Sequence, residues 1–251
     1  MTKKLSINGI IKTPRDTPAI RDQVDRASIS RGCNCASPFS FWGLMNTVIA
    51  APTSPVRIRI FIDFWNFSLT LKNLDSTFRA DWTKIPALLT QGAQSLLGTS
   101  CVYEAMHVYG SYDGTKSADT KLKNWFSNTL DKMPGVHTVM LERQRKRSFP
   151  KCPDCHSEVQ RCQSCGHDMR GTEEKGIDAH IVTDLVSFAW SNGYDAGILV
   201  SADKDFVPAA NLLQSRGIKI IHGAFPPNGS HLTKQCWGSI DIGKLMPQFK
   251  R

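Results

Sequence analysis

Two carboxylates stand one residue apart in Ser201-Ala202-Asp203-Lys204-Asp205-Phe206, directly after an apolar run. A second apolar run, Ile58-Arg59-Ile60-Phe61-Ile62, ends the same way, in Asp63-Phe64-Trp65-Asn66. Carboxylates gathered in one place repel one another unless a cation joins them, so this pattern points to a divalent metal centre. A third acid lies in Lys175-Gly176-Ile177-Asp178. The glycine frees the backbone ahead of a helix, and Asp178 falls in its first turn. A lone aspartate there reads as a helix cap or a partner of the helix dipole. Beside Asp63 and Asp203, it also points over a shared edge. Asp184 lies six residues on, off that face by helical period, and reads as a supporting residue. Oxygen ligands from several aspartates suit Mg2+ or Mn2+ and suit Zn2+ poorly. Cations of that kind activate water and neutralise charge in phosphodiester hydrolysis.

A different chemistry is written in Cys152-Pro-Asp-Cys155 and Cys162-Gln-Ser-Cys165-Gly166, six residues apart. Each C-x-x-C turns two thiolates toward one point, and two such knuckles complete a closed tetrahedral site of four cysteines for structural Zn2+. Two disulfides or redox pairs are the other reading of the spacing. The chain has eight cysteines and no apolar leader segment, which favours thiols or metal ligands and a cytoplasmic setting. His156 and His167 flank the knuckles and can replace a ligand. Just upstream, Arg143, Arg145, Lys146 and Arg147, followed by Lys151, form a run without an acid. It reads either as a phosphate-contacting patch or as a solvated loop. The net charge of +9 favours an anionic partner, nucleic acid before a membrane surface. No apolar stretch approaches the roughly 20 residues that cross a bilayer.

Elements must bring these residues together. Isoleucine- and valine-rich runs bounded by polar residues read as buried parallel strands. The pattern predicts strands near 56–63, 101–109, 136–141, 196–200 and 218–222. Helices are predicted near 82–97 (capped by Asp81), 118–133, 176–192 and 206–216. Strands alternating with helices give a parallel sheet covered on both faces. Such sheets build their sites at the C-terminal ends of the strands, where Asp63 and Asp203 fall. Residues 143–174 interrupt the rhythm and read as an insertion. Residues 1–55 are basic, proline-punctuated and without periodicity, so they read as a flexible arm in which Cys33 and Cys35 stay unassigned. Residues 244–251 read as a C-terminal tail.

With the three acidic segments in place, the chain resembles NYN-domain proteins, in the LabA-like branch of the PIN-like nuclease superfamily. Ile62-Asp63-Phe64-Trp65-Asn66, Lys175-Gly176-Ile177-Asp178 and Ser201-Ala202-Asp203-Lys204-Asp205-Phe206 match that family's three motifs in order. The family's usual glycine in the third motif is Ala202 here. The resemblance covers residues 56–243. It implies a three-layer α/β/α PIN-like domain with a mostly parallel sheet, carrying the zinc ribbon as an insertion. It further implies an Mg2+- or Mn2+-dependent nuclease acting on RNA. Asp63, Asp178, Asp203 and Asp205 would hold the metal, and Asn66 would position a water or a phosphate oxygen. Ser201 either contributes its hydroxyl or merely ends its strand, the second being favoured. A homo-oligomer is left open.

Two rival readings stand beside this one. The first is the same fold without strong catalysis, binding RNA or protein through the ribbon and the arm. The second is a phosphatase for small esters, disfavoured by the basic chain and by the lack of an Asp-x-Asp pair in the first motif. Tyr112, Trp125, Phe149 and Trp237 are candidates for base stacking, Trp125 standing at core spacing. His107 and His222 read as packed strand residues, while His231 and Lys234 fall near enough to the edge to meet phosphate.

Overall fold

A computed structural model describes residues 54–251. The N-terminal arm through residue 53, with Cys33 and Cys35, lies outside the described residues. β1 (Val56–Asp63) is the middle of the molecule and buries both of its faces. Ile58, Ile60 and Ile62 go to one layer, and Phe61 to the other, as alternation along a strand requires. The chain then runs through α1 (Phe64–Leu74), α2 (Ile85–Leu97), β2 (Cys101–Tyr112), α3 (Ser117–Asn128) and β3 (Val136–Glu142). A two-residue ladder follows, β4 (Gln144–Arg145) against β5 (Thr172–Glu173), and closes the base of the Cys-rich loop. The second half comprises α4 (Ile177–Trp190), β6 (Ala196–Val200), α5 (Val207–Gln214), β7 (Lys219–Ala224), α6 (Ser230–Gln235), β8 (Gly238–Asp241) and α7 (Ile242–Phe249).

Six of the strands form one parallel sheet in the order β3-β2-β1-β6-β7-β8. Phe64, Phe67 and Leu71 of α1, the apolar side of α2, Phe126 of α3, and Ile242 and Phe249 of α7 pack on one face. Ile177, Ile181 and Leu185 of α4, Ala209, Ala210 and Leu213 of α5, and Leu232 of α6 pack on the other. The protein is therefore a three-layer α/β/α domain. Each large side chain fully buried in these layers contributes about 1.5–3 kcal/mol.

Three local differences from the sequence reading have physical causes. The expected helix from residue 82 begins at Ile85, because the Asp81 carboxylate is taken by Thr83, whose N donates at 3.2 Å and Oγ1 at 2.6 Å. That turn sends Trp82 into the core beside Phe64 and Phe67. α1 starts directly where β1 stops, with no connecting loop to mark it. Residues 244–251, read as a tail, carry most of α7. Phe249 there is 3% exposed and packs on Phe67 and Phe78, while Lys250 pairs with Asp75 at 2.6 Å.

Candidate functional site

β1 and β6 are neighbours, yet the chain leaves β1 toward β2 and leaves β6 toward β7. The two crossovers diverge there and open a crevice at the carboxyl ends of the strands, the topological switch point of a doubly wound sheet. Asp63 closes β1 on one side of the crevice, and Ser201 to Asp205 follow β6 on the other. Asp63 caps α1, its Oδ1 accepting from the N–H of Asn66 at 3.1 Å. Its Oδ2 accepts from Ser201 Oγ at 3.2 Å, and Ser201 Oγ accepts from the N–H of Asp203 at 3.2 Å. The N–H of Ala202 donates to Asn66 Oδ1 at 3.0 Å. Asp203 caps a short 3₁₀ turn by accepting from the N–H of Asp205 at 2.9 Å. These bonds stitch the first and third acidic segments to each other across the switch point. Ser201 thus does more than end its strand: its hydroxyl links Asp63 to Asp203.

A buried histidine fixes this loop from behind. His222 on β7 donates from Nε2 to the carbonyl of Ser201 at 2.6 Å. Burial lowers its pKa, which keeps the ring neutral, so Nδ1 accepts from Thr233 Oγ1 on α6 at 2.7 Å. Gly229, at φ +73, passes so close that a Cβ would stand 2.8 Å from His222 Cε1 and 3.0 Å from Ala202 Cα. The loop and α6 are locked together.

The electrostatics define the membership of the acid cluster. Burial pushes the Asp63 carboxyl up to about 6, hydrogen bonds from Asn66 and Ser201 pull against it, and the charges of Glu174 and Asp178 push it further up. Asp178, exposed as a residue in the first turn of α4, is also raised. Partial desolvation is the first cause, followed by Asp203, Glu174 and Asp205. Asp178 thus stands within charge range of Asp203, Asp205 and Glu174, and Asp63 within range of Glu174 and Asp178, so Glu174 joins the expected aspartates. Sequence reasoning missed Glu174 because it lies at the end of the Cys-rich segment and its partner is far along the chain. Ser111, 1% exposed on β2, donates to it, and Arg143 reaches it at 3.6 Å while donating from Nε to Ser111 Oγ at 2.9 Å.

The remaining candidates are spread around this edge. Arg143 also lies over the Trp65 ring, 5.4 Å from its centre, and so belongs to the acid crevice rather than to a free basic loop. Arg145 pairs with Asp168 at 3.0 Å, while Lys146, Arg147 and Lys151 are exposed. Asp184 accepts from Tyr109 at 2.8 Å, a supporting contact beneath α4. His107 is buried against Arg59 with its pKa driven down to about 3, chiefly by dehydration. Trp125 packs against the core, Trp237 is exposed, and Phe149 lies under Arg170.

The Cys-rich loop forms two matched turns. The N–H of His156 donates to Cys152 O at 3.0 Å, and that of Gly166 donates to Cys162 O at 2.8 Å. His156 and Gly166 occupy equivalent left-handed positions, at φ 58 and 70. The Cys155 thiol is drawn down to about 7 by Ser157 and then by Cys152. Among the described residues, however, no three His, Cys, Asp or Glu side chains converge closely enough to hold a metal ion. The donor chemistry still fits. The acid set offers oxygen alone, with mutual repulsion that a hard cation relieves, and the turns pair thiols as zinc knuckles do.

A doubly wound parallel sheet with aspartates at its switch point defines a three-layer α/β protein. The chain belongs to the NYN domain family, whose model matches residues 57–243. That family lies within the PIN-like nuclease superfamily. Among solved structures, the chain is similar to a protein of unknown function from Vibrio parahaemolyticus, with 16% identity and a TM-score of 0.47. That match covers 78% of this chain and 97% of the other. No curated protein matches it.

Proposed function

We propose that the protein is a divalent-cation-dependent nuclease that hydrolyses phosphodiester bonds in RNA, from the LabA-like branch of its family. The observation that carries this reading is the bonded set Asp63, Asn66, Ser201, Ala202 and Asp203 across the switch point, with Asp178 held in the same field. Asp63, Asp178, Asp203 and Asp205 would hold Mg2+ or Mn2+. When bound there, the cation activates water and neutralises charge on the phosphate. Asn66, its side-chain oxygen engaged by Ala202, keeps its amide N–H groups to orient a phosphate oxygen. Arg143, between Glu174 and the Trp65 ring, is placed to meet a phosphate at the crevice rim. Cys152, Cys155, Cys162 and Cys165 would hold one structural Zn2+ that stiffens the inserted loop, with Lys146, Arg147 and Lys151 on its surface to track the backbone of the polyanion.

Incubation of the protein with labelled RNA, single-stranded DNA and a nucleoside monophosphate, with Mg2+ or Mn2+, tests the reading. Cleavage of RNA that is abolished by EDTA is expected. Release of phosphate from the monophosphate alone would replace the nuclease with a phosphatase. One observation favours a second reading, an RNA-binding module without catalysis: among the described residues no three acidic side chains converge closely enough to hold a metal ion. RNA binding without cleavage under either cation would establish it.

A further inference from the structure

The sheet order places a second feature beside the acids. Along the carboxyl edge, β6 lies between β1 and β7, so the acid crevice has the insertion on its β2–β3 side and α6 on its β7 side. On the α6 side is an open cleft of about 580 Å³, lined by Lys204, Asp205, Val207, Pro208, His231 and Lys234, within the size range of small-ligand sites. Its chemistry is divided. Val207 and Pro208 form an apolar wall, and Lys204 and Lys234 bring cationic ends that make no ion pair among the described residues. Asp205 is shared between the cleft and the acid cluster, so a ligand in the cleft is continuous with one over the acids.

The wall is built rather than loose. α6 is tied to the acid-bearing loop through His222, which bridges Ser201 and Thr233. It is tied to α5 through Gln214, whose Nε2 donates to Gln235 O at 2.7 Å. The close approach of Gly229 to Ala202 leaves no slack between them. A ligand for this cleft needs an anionic group for the lysines and a flat apolar face for Val207 and Pro208, while tolerating a carboxylate at one end.

We infer that this cleft is a nucleotide subsite, holding the RNA nucleotide next to the bond positioned over the acids. The subsite takes its substrate class from the nuclease reading, but it is a statement about binding. The test uses full-length Asp203→Asn protein and a fluorescent RNA hexamer, with anisotropy measured across a salt series. A Lys204→Glu/Lys234→Glu double variant on that background should bind at least about tenfold more weakly, with the salt slope reduced by about 1.4 for two lost phosphate contacts on a single strand. Lys219→Glu, at the opposite edge of the sheet where the lysine lies over Trp237, should bind as the parent does. Equal binding by the double variant and the parent, with melting temperatures unchanged, would overturn the subsite even if the wild-type protein cuts RNA. Lysine-dependent binding by a wild-type protein that never cuts would leave the subsite standing and remove only the nuclease.

Discussion

Asp63 is at once the cap of α1 and a carboxyl whose surroundings raise its pKa. It accepts from Asn66 and Ser201, yet burial and two acidic neighbours still hold its pKa at about 6, against an ordinary value of 3.8. The folded protein therefore binds this proton more tightly than the unfolded chain does. The corresponding stability is present below about pH 4 and is lost as the pH rises through about 6. Without added cation, denaturation of wild type and Asp63→Asn across that window should show their stability difference changing by at most about 3 kcal/mol, wild type losing ground at higher pH. A difference independent of pH would contradict the pKa. Cations require the deprotonated form, so Mn2+ affinity measured by calorimetry should weaken as the pH falls below about 6.

At the level of elements, the acid loop depends on the α6 segment behind it. Gly229→Ala adds a Cβ that meets the His222 ring and the Ala202 backbone, at a φ that side chains avoid. It should cost on the order of 1–3 kcal/mol in chemical denaturation and should lower Mn2+ affinity, although residue 229 carries no ligand. An unchanged midpoint would show that the segment can move aside.

The legibility of these elements in the sequence follows their physics. β1, β6 and β7 are buried on both faces, so their apolar runs announce them, and the acids at β1 and β6 mark the crevice with them. α1 was hidden because Phe64, Trp65 and Phe67 continue the apolar run of β1 while Asp63 acts as both strand end and helix cap. β8 is only Gly238–Asp241, and α7 contains Pro247, so neither shows a clean period. Glu174 was illegible for another reason. Its partner Ser111 is 63 residues away, and only the pairing of β2 with β1 brings that hydroxyl to the crevice.

Across the whole molecule, opposite charges are partitioned along one edge. The acids and Arg143 occupy the switch point, the exposed Lys146, Arg147 and Lys151 of the Cys-rich loop lie to one side, and Lys204 and Lys234 lie to the other. A basic surround lets a polyanion approach an acidic pocket that would otherwise repel it. The Cys-rich loop contributes to that surround only if it holds its shape. Elemental analysis of reduced protein should find about one zinc per chain, lost in a Cys152→Ser/Cys162→Ser variant while the sheet domain still melts cooperatively. Metal-free wild-type protein with an ordered loop would argue against the four-cysteine site.

Single-turnover cleavage of an internally labelled RNA shows whether the acids at the switch point cut. Wild type in Mg2+ or Mn2+ should convert the RNA to shorter products, while Asp203→Asn should bind it equally well and cleave at least about a hundredfold more slowly. Cleavage that survives Asp203→Asn, or a wild-type protein that binds RNA and leaves it whole under both cations, would rule out cutting by these acids.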